Sequence, residues 1–341
     1  MDYKVTDTEL TSVANAIRTK GSTSALLEWP DEFAQAVMDI PTGGGGSDDK
    51  FLIAMGASVG SIYDAEVSAV ASYAMLSNLS ITGLEMTNAR IIYQDAFRMC
   101  SNLLEASLPM CESLYAQAFS QDIKLENVYL PNCLTIGNGA FNMCTRLVSV
   151  FAQSCVSIGS FAFASGSPIN ANFPVCENLA PSAFFQGGVI TANFPVCSII
   201  GRSTFTSCHG LQTVNFPKCK GIEERGFADC NVLKDVSFPE CEYIGNYAFQ
   251  GCSSISQAYF PVCSKISTAT FRYCTKLESA VFLFSSLCIL ADTQVFAGTP
   301  MSASSYLGHF GSIYVPSSLV EEYKSAPNWS VYSDRITAYV E

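Results

Sequence analysis

The chain has 341 residues, 49% of them hydrophobic and only 14% charged, against about 25% charged in an ordinary soluble chain. Eighteen Lys and Arg stand against 30 Asp and Glu, a net charge of −12, which argues against nucleic-acid binding through a basic face and against electrostatic attachment to anionic lipid. The apolar run at 281–291 is broken by Ser285 and Ser286 and falls short of the ~18 residues of a membrane span, so no membrane insertion is expected, and the opening MDYKVTDTEL shows no secretory leader.

Residues 1–41 read as a small helical pair. Thr6 and Glu9 have capping-box spacing, and Leu10, Val13, Ala14 and Ile17 form one apolar stripe. Pro30 opens a second helix carrying Phe33, Val37 and Ile40, and Pro41 closes it. A pair this short cannot hold a core alone, the practical limit being about 40 residues. It is expected to pack on the rest of the chain, on a second copy or on a particle, as an attachment or oligomerisation segment. Residues 42–50 then form a flexible Gly-rich linker built on Gly43, Gly44, Gly45, Gly46 and Ser47.

From residue 51 to 311 the chain repeats itself. Phe97, Phe119, Phe141, Phe163, Phe184, Phe205, Phe227, Phe249 and Phe271 recur every 21 or 22 residues, with Met75 in register before them and Phe296 after. A proline precedes most of these rings by ten residues, as Pro217 precedes Phe227 and Pro239 precedes Phe249. The unit is L-x-x-V-x-F-P-x-C-x-x-I-x-x-x-A/G-F-x-x-C. No single unit can bury its apolar face, so about eleven coils must stack around one continuous core. Strands ~4.8 Å apart make this a parallel-sheeted α/β repeat solenoid in which each Phe lies over the last. Residues 312–341 then read as a strand and helix that cap the last open coil. SIYVP is strand-like, Ser318 and Glu321 have capping-box spacing ahead of Leu319, Val320 and Tyr323, and Pro327 stops the helix.

The 15 cysteines lie on the same grid, Cys197, Cys208, Cys219, Cys230 and Cys241 being eleven apart, and no C-x-x-C occurs. Metal-site spacing is therefore absent. Side chains stacked in parallel coils keep their Cβ atoms about one strand spacing apart, whereas a disulfide wants ~3.8 Å and converging vectors. The cysteines are expected to be small buried hydrophobes with free thiols. Only two histidines exist, His209 and His309, each read as a loop residue. No H-E-x-x-H, G-x-S-x-G or P-loop pattern appears, and Gly137-Asn138-Gly139 is the repeat's turn. No catalytic residue, cofactor or metal is expected.

This pattern resembles the BspA-like subclass of leucine-rich repeats, carried by Leu233, Val236, Phe238, Pro239, Ile244, Ala248, Phe249 and Cys252 and their equivalents. Cys219, Cys241 and Cys263 depart from the aliphatic or small residue more usual there, and the coils around Phe184 and Phe205 are one residue short. The resemblance implies a non-enzymatic bacterial protein at the cell surface or outside the cell, binding a protein or glycan on a host or microbial surface. TDTELTSVANAIRTKG at the N-terminus resembles segments of phage and prophage tail-associated proteins. The alternative is therefore a tail or receptor-binding component docked through residues 1–41. Two residues of each strand point outward. One stripe runs Ser107, Tyr129, Phe151, Asn172, Asn193, Asn215, Ser237, Tyr259 and Val281, and its neighbour includes Glu105, Asn127 and Ser149. Asn-rich strands with scattered aromatics make an adaptable recognition face. The candidate partner-binding residues are Tyr129, Phe151, Asn193, Asn215 and Tyr259.

Overall fold

The computed structural model describes residues 2–5, 51–54, 60–166, 169–302 and 310–340. They form a parallel β-solenoid of about twelve coils, near 22 residues each, with little helix. Each coil carries two short strands. The longer set makes one face, in sheets of five, three and five strands. The first of these runs from Gly60–Asp64 through Glu105–Ser107 and Asn127–Tyr129 to Ser149–Phe151. The second spans Asn170–Asn172 to Thr213–Asn215, and the third runs from Val236–Ser237 to Ile336–Ala338. Two-residue strands such as Gly221–Ile222 and Tyr243–Ile244 make the other face. Residues pair 22 apart, as Asn127 with Ser149, or 21 apart in the short coils, as Asn170 with Thr191. The expected helices of residues 1–41 and the linker lie outside the described residues. A strand Asp2–Val5 precedes them and pairs antiparallel with Phe51–Ala54, which in turn joins the first coil.

The interior is a column of rings. From Phe97 to Phe296 successive rings stack with centroids 5.1–5.6 Å apart and planes within 2–13°. A second column, Phe173, Phe194, Phe216, Phe238, Phe260 and Phe282, stands beside it with spacings of 5.1–6.5 Å. In the earlier coils that slot holds Leu108, Leu130 and Ala152, all buried. The C-terminal segment closes both columns. Trp329 packs on Phe282 and Phe296, and its Nε1 donates to the Cys288 carbonyl at 2.7 Å. Tyr323 Oη accepts the Cys288 N–H at 2.9 Å. The helix here is Val320–Ser325, entered through a 3-10 turn at Ser317–Leu319 with no side-chain cap. The expected capping box is not formed, because the 3-10 turn uses up the residues that would have framed it.

From Phe97 to Phe271 each coil turns at the Phe on two residues in the left-handed region, two before the ring and two after, as in Arg225 and Asp229, Tyr247 and Gly251, Ser203 and Ser207. Non-glycine residues adopt this conformation at a cost of about 1–2 kcal/mol each. Here it aims three N–H groups at the next coil. Arg225 N donates to Asn246 O at 2.9 Å, Phe227 N to Ala248 O at 2.8 Å and Asp229 N to Gln250 O at 2.7 Å. The turns are thus hydrogen-bonded along the solenoid as the strands are.

All 15 cysteines are buried and free. They form two columns, and each thiol satisfies a carbonyl. Cys230 Sγ donates to Phe205 O and Cys252 Sγ to Phe227 O, both at 3.0 Å, reaching back one coil. Cys219 Sγ donates to Gly221 O at 3.2 Å within its own coil. The carbonyls reached by the first column already accept a backbone N–H, as Phe205 O does from Cys208 and Phe227 O from Cys230, so the thiol adds a second, weak donor to each. Three positions break the first column. Gly166 and Gly187 occupy it in the short coils, and a Cβ at Gly187 would lie 2.8 Å from Phe184 O. Asp122 is fully buried there with neither carboxyl oxygen hydrogen-bonded. Burial pushes its carboxyl well above the ordinary carboxylate range.

Candidate functional site

The five residues singled out from the sequence do not form one patch. Tyr129 and Phe151 sit on adjacent strands of the first sheet, 46% and 43% exposed, with rings stacked at 5.3 Å and 19°. Asn193 and Asn215 belong to the middle sheet. Asn193 Nδ2 donates to Asn172 Oδ1 at 2.7 Å, and Asn215 Nδ2 donates to Asn193 Oδ1 at 2.6 Å. This amide ladder spends on its own neighbours much of the hydrogen-bonding capacity a partner would use. Tyr259 is half-buried in the third sheet between Ser237 and Val281. Val281, at the end of the outward stripe, is only 8% exposed, because Tyr314 of the C-terminal segment pairs beside it.

The first sheet carries a further feature. A hollow of about 400 Å³ opens on its outer surface, lined by Tyr63, Gly83, Glu85, Glu105, Ser107, Asn127, Tyr129 and Phe151 among others. Two registers bound it. Tyr63, Glu85, Ser107, Tyr129 and Phe151 follow one another along one line, and Ser61, Gly83, Glu105, Asn127 and Ser149 along the other. Gly83 and Ser107 are the short positions that leave the space. A Cβ at Gly83 would already stand 2.7 Å from Ser61 Oγ. Tyr63 and Glu85 lie in coils that precede the first Phe of the ladder. Counting back 22 residues from Ser107 would have found both.

The chemistry-bearing residues elsewhere are committed. Cys208 is fully buried, its Sγ donates to Phe184 O at 3.0 Å, and burial pushes its thiol up to about 12. It is therefore no thiolate beside His209, whose exposed ring holds Nδ1 3.1 Å from Asp229 O. His309 lies outside the described residues. Asn138 Oδ1 accepts the Ser160 N–H at 2.9 Å, so the Gly137-Asn138-Gly139 turn serves the next coil. Among the described residues no three His, Cys, Asp or Glu side chains are grouped to hold a metal ion, and no helix is long and apolar enough to cross a membrane.

A stacked-coil solenoid with a ring ladder at its turns and a parallel strand face defines a leucine-rich repeat protein. The BspA type leucine rich repeat region, in six copies, matches residues 68–191 and 177–302. The chain belongs to the BspA-type leucine-rich repeat family. Among solved structures it is similar to a leucine-rich repeat protein from Bacteroides ovatus at 19% identity and a TM-score of 0.51, covering 87% of this chain and 97% of that one. It is also similar to a leucine rich cell surface protein from Faecalibacterium prausnitzii at 16% identity and a TM-score of 0.41, covering 86% and 91%. No curated relative matches the chain.

Proposed function

We propose that this protein is a non-enzymatic interaction scaffold that binds a macromolecule, a protein or glycan of a host or microbial surface, through its longer-strand face. Its place is the bacterial cell surface or the medium around it. One observation carries the reading. The interior is consumed by ring and thiol columns, whereas the first sheet holds a hollow of about 400 Å³ with Tyr129 and Phe151 presented at its edge. Large aromatic side chains at a concave, partly desolvated position are the residues that dominate interface energetics. Membership of the BspA-type family supports the location.

The test is a binding screen of the full chain against immobilised matrix glycoproteins and mucins, followed by the variant carrying Tyr129→Ala, Phe151→Ala and Tyr259→Ala. Each aromatic hot spot is worth about 2 kcal/mol or more, so affinity should fall at least about tenfold while the melting temperature holds. Unchanged affinity in the triple variant would exclude this face. Antibody labelling of intact cells tests the location, and signal only after lysis would refute it.

A further inference from the structure

The hollow on the first sheet has a chemistry narrower than general adhesion. Two of the described residues lining it, Glu85 and Glu105, are carboxylates, and none is a lysine or arginine. Both are exposed, and neither has an ion-pair partner among the described residues. The carboxylates that do pair lie elsewhere: Glu112 meets Arg90 at 3.5 Å and Glu126 meets Arg146 at 3.8 Å. Among the described residues nothing offsets these two negative charges, and their field favours a cation.

The aromatic geometry sharpens this. In a parallel ladder, rings stack with their faces along the solenoid axis. Phe151 covers one face of Tyr129 at 5.3 Å. The next residue on the other side is Ser107, too short to cover the second face, and beyond it stands Glu85. Strand spacing of ~4.8 Å puts Glu85 about two rungs from the ring. Glu105 lies on the parallel line, paired beside Asn127 of the Tyr129 strand. An open tyrosine face with carboxylates one to two rungs away suits a flat cation able to stack and donate hydrogen bonds edge-on. Guanidinium does both; ammonium donates but does not stack, and a neutral sugar leaves both carboxylates without counter-charge.

Resting on the binding role proposed above, we infer that this hollow is an arginine-binding site, taking an arginine side chain of a partner protein. The guanidinium lies on the free face of Tyr129 and donates to the carboxylates of Glu105 and Glu85. Its aliphatic stem runs over Ser107. The net charge of −12 adds long-range attraction toward a basic segment.

The probe is a Gly/Ser peptide with one central arginine, titrated into the full chain by calorimetry, alongside versions with lysine and with citrulline, the uncharged isostere. The arginine peptide is expected to bind saturably. Affinity should fall about tenfold or more for citrulline, since charge-assisted bonds are roughly twice as strong as neutral ones, and by a smaller factor for lysine. Glu105→Gln should reduce arginine binding to the citrulline level, Tyr129→Ala should abolish it, and Tyr129→Phe should retain it because the ring face remains. Equal binding of arginine and citrulline peptides would overturn the inference. So would arginine binding that survives both Glu105→Gln and Tyr129→Ala, or no saturable binding at all. A neutral oligosaccharide bound equally well by wild type and Glu105→Gln would identify a glycan site and also overturn it. These failures leave the scaffold role standing if the triple aromatic variant still loses its macromolecular partner. Loss of both results would retire the face altogether.

Discussion

The first and middle sheets of the longer-strand face differ in where they place their aromatic and amide groups. In the first, Tyr129 and Phe151 stand outside while Leu130 and Ala152 fill the neighbouring interior slots. In the middle, Asn172, Asn193 and Asn215 stand outside and Phe173, Phe194 and Phe216 fill the same slots. The backbone scaffold is common to both. Moving a ring by one position along a strand carries it from core to surface, and so changes a self-satisfied wall into a surface with unmet capacity. A repeat protein can thus vary its reactive region without altering how its coils stack.

The largest test of that comparison removes an interior ring from each region. Among the described residues Phe119 meets the rings of Phe97 and Phe141 alone, whereas Phe205 stacks on Phe184 and Phe227 and also meets Phe194 and Phe216. Truncation of a buried Phe to Ala costs about 3–5 kcal/mol. Chemical denaturation should show Phe205→Ala near the top of that range and Phe119→Ala near the bottom. Equal losses would mean the second ring column adds nothing to the first.

A smaller effect concerns Asp122, the flaw in the first region's thiol column. A buried polar group without a partner costs about 1–3 kcal/mol, so Asp122→Cys should stabilise the protein by that amount at neutral pH. Its folded-state value is raised by burial above the unfolded one. The protonated carboxyl's contribution is therefore fully present below about pH 4, the unfolded value, and is lost as pH rises through the folded value. Wild-type stability should accordingly gain relative to Asp122→Asn on acidification from pH 7 to 4. A pH-independent difference between the two would show that Asp122 titrates alike in both states.

The mildest change is Asn193→Ala, which removes two rungs of the amide ladder. Net hydrogen bonds are worth about 0.5–1.5 kcal/mol each, and solvent at this exposed site replaces part of that, so a loss near 1 kcal/mol is expected. Partner affinity should not move, in contrast to Tyr129→Ala. If Asn193→Ala weakens partner binding as much as Tyr129→Ala does, the middle sheet shares the contact surface and the distinction drawn between the two regions fails.

The period, ring ladder and free thiols could be read from spacing alone, because stacking turns a sequence interval directly into a neighbour. What spacing hides is how neighbours satisfy one another. Asn193 and Asn215 are outward-facing on the sequence grid, yet only their side-chain geometry shows them bonded to each other. The left-handed pairs at the turns were hinted at by Gly139, Gly251 and Gly298, but most coils use other residues there, such as Arg225 and Asp229. Inter-coil hydrogen bonds, not glycine, hold that conformation. Glu105 lies on the outward grid, whereas Tyr63 and Glu85 precede Phe97, where Met75 occupies the ring slot and the repeat signature is weakest, so the ring pattern alone does not extend the stripe to them.

The thiol columns carry a consequence for how the protein meets oxidants. Oxidants and alkylating reagents attack thiolate, and these sulfurs are buried and engaged with carbonyls, with Cys197 pushed up to about 11 and Cys208 to about 12. Exposure to air or reagent therefore reaches a cysteine only when its coil opens. Each thiol acts as a timer for its own coil. The order in which cysteines are labelled in native solution maps where the stack first comes apart.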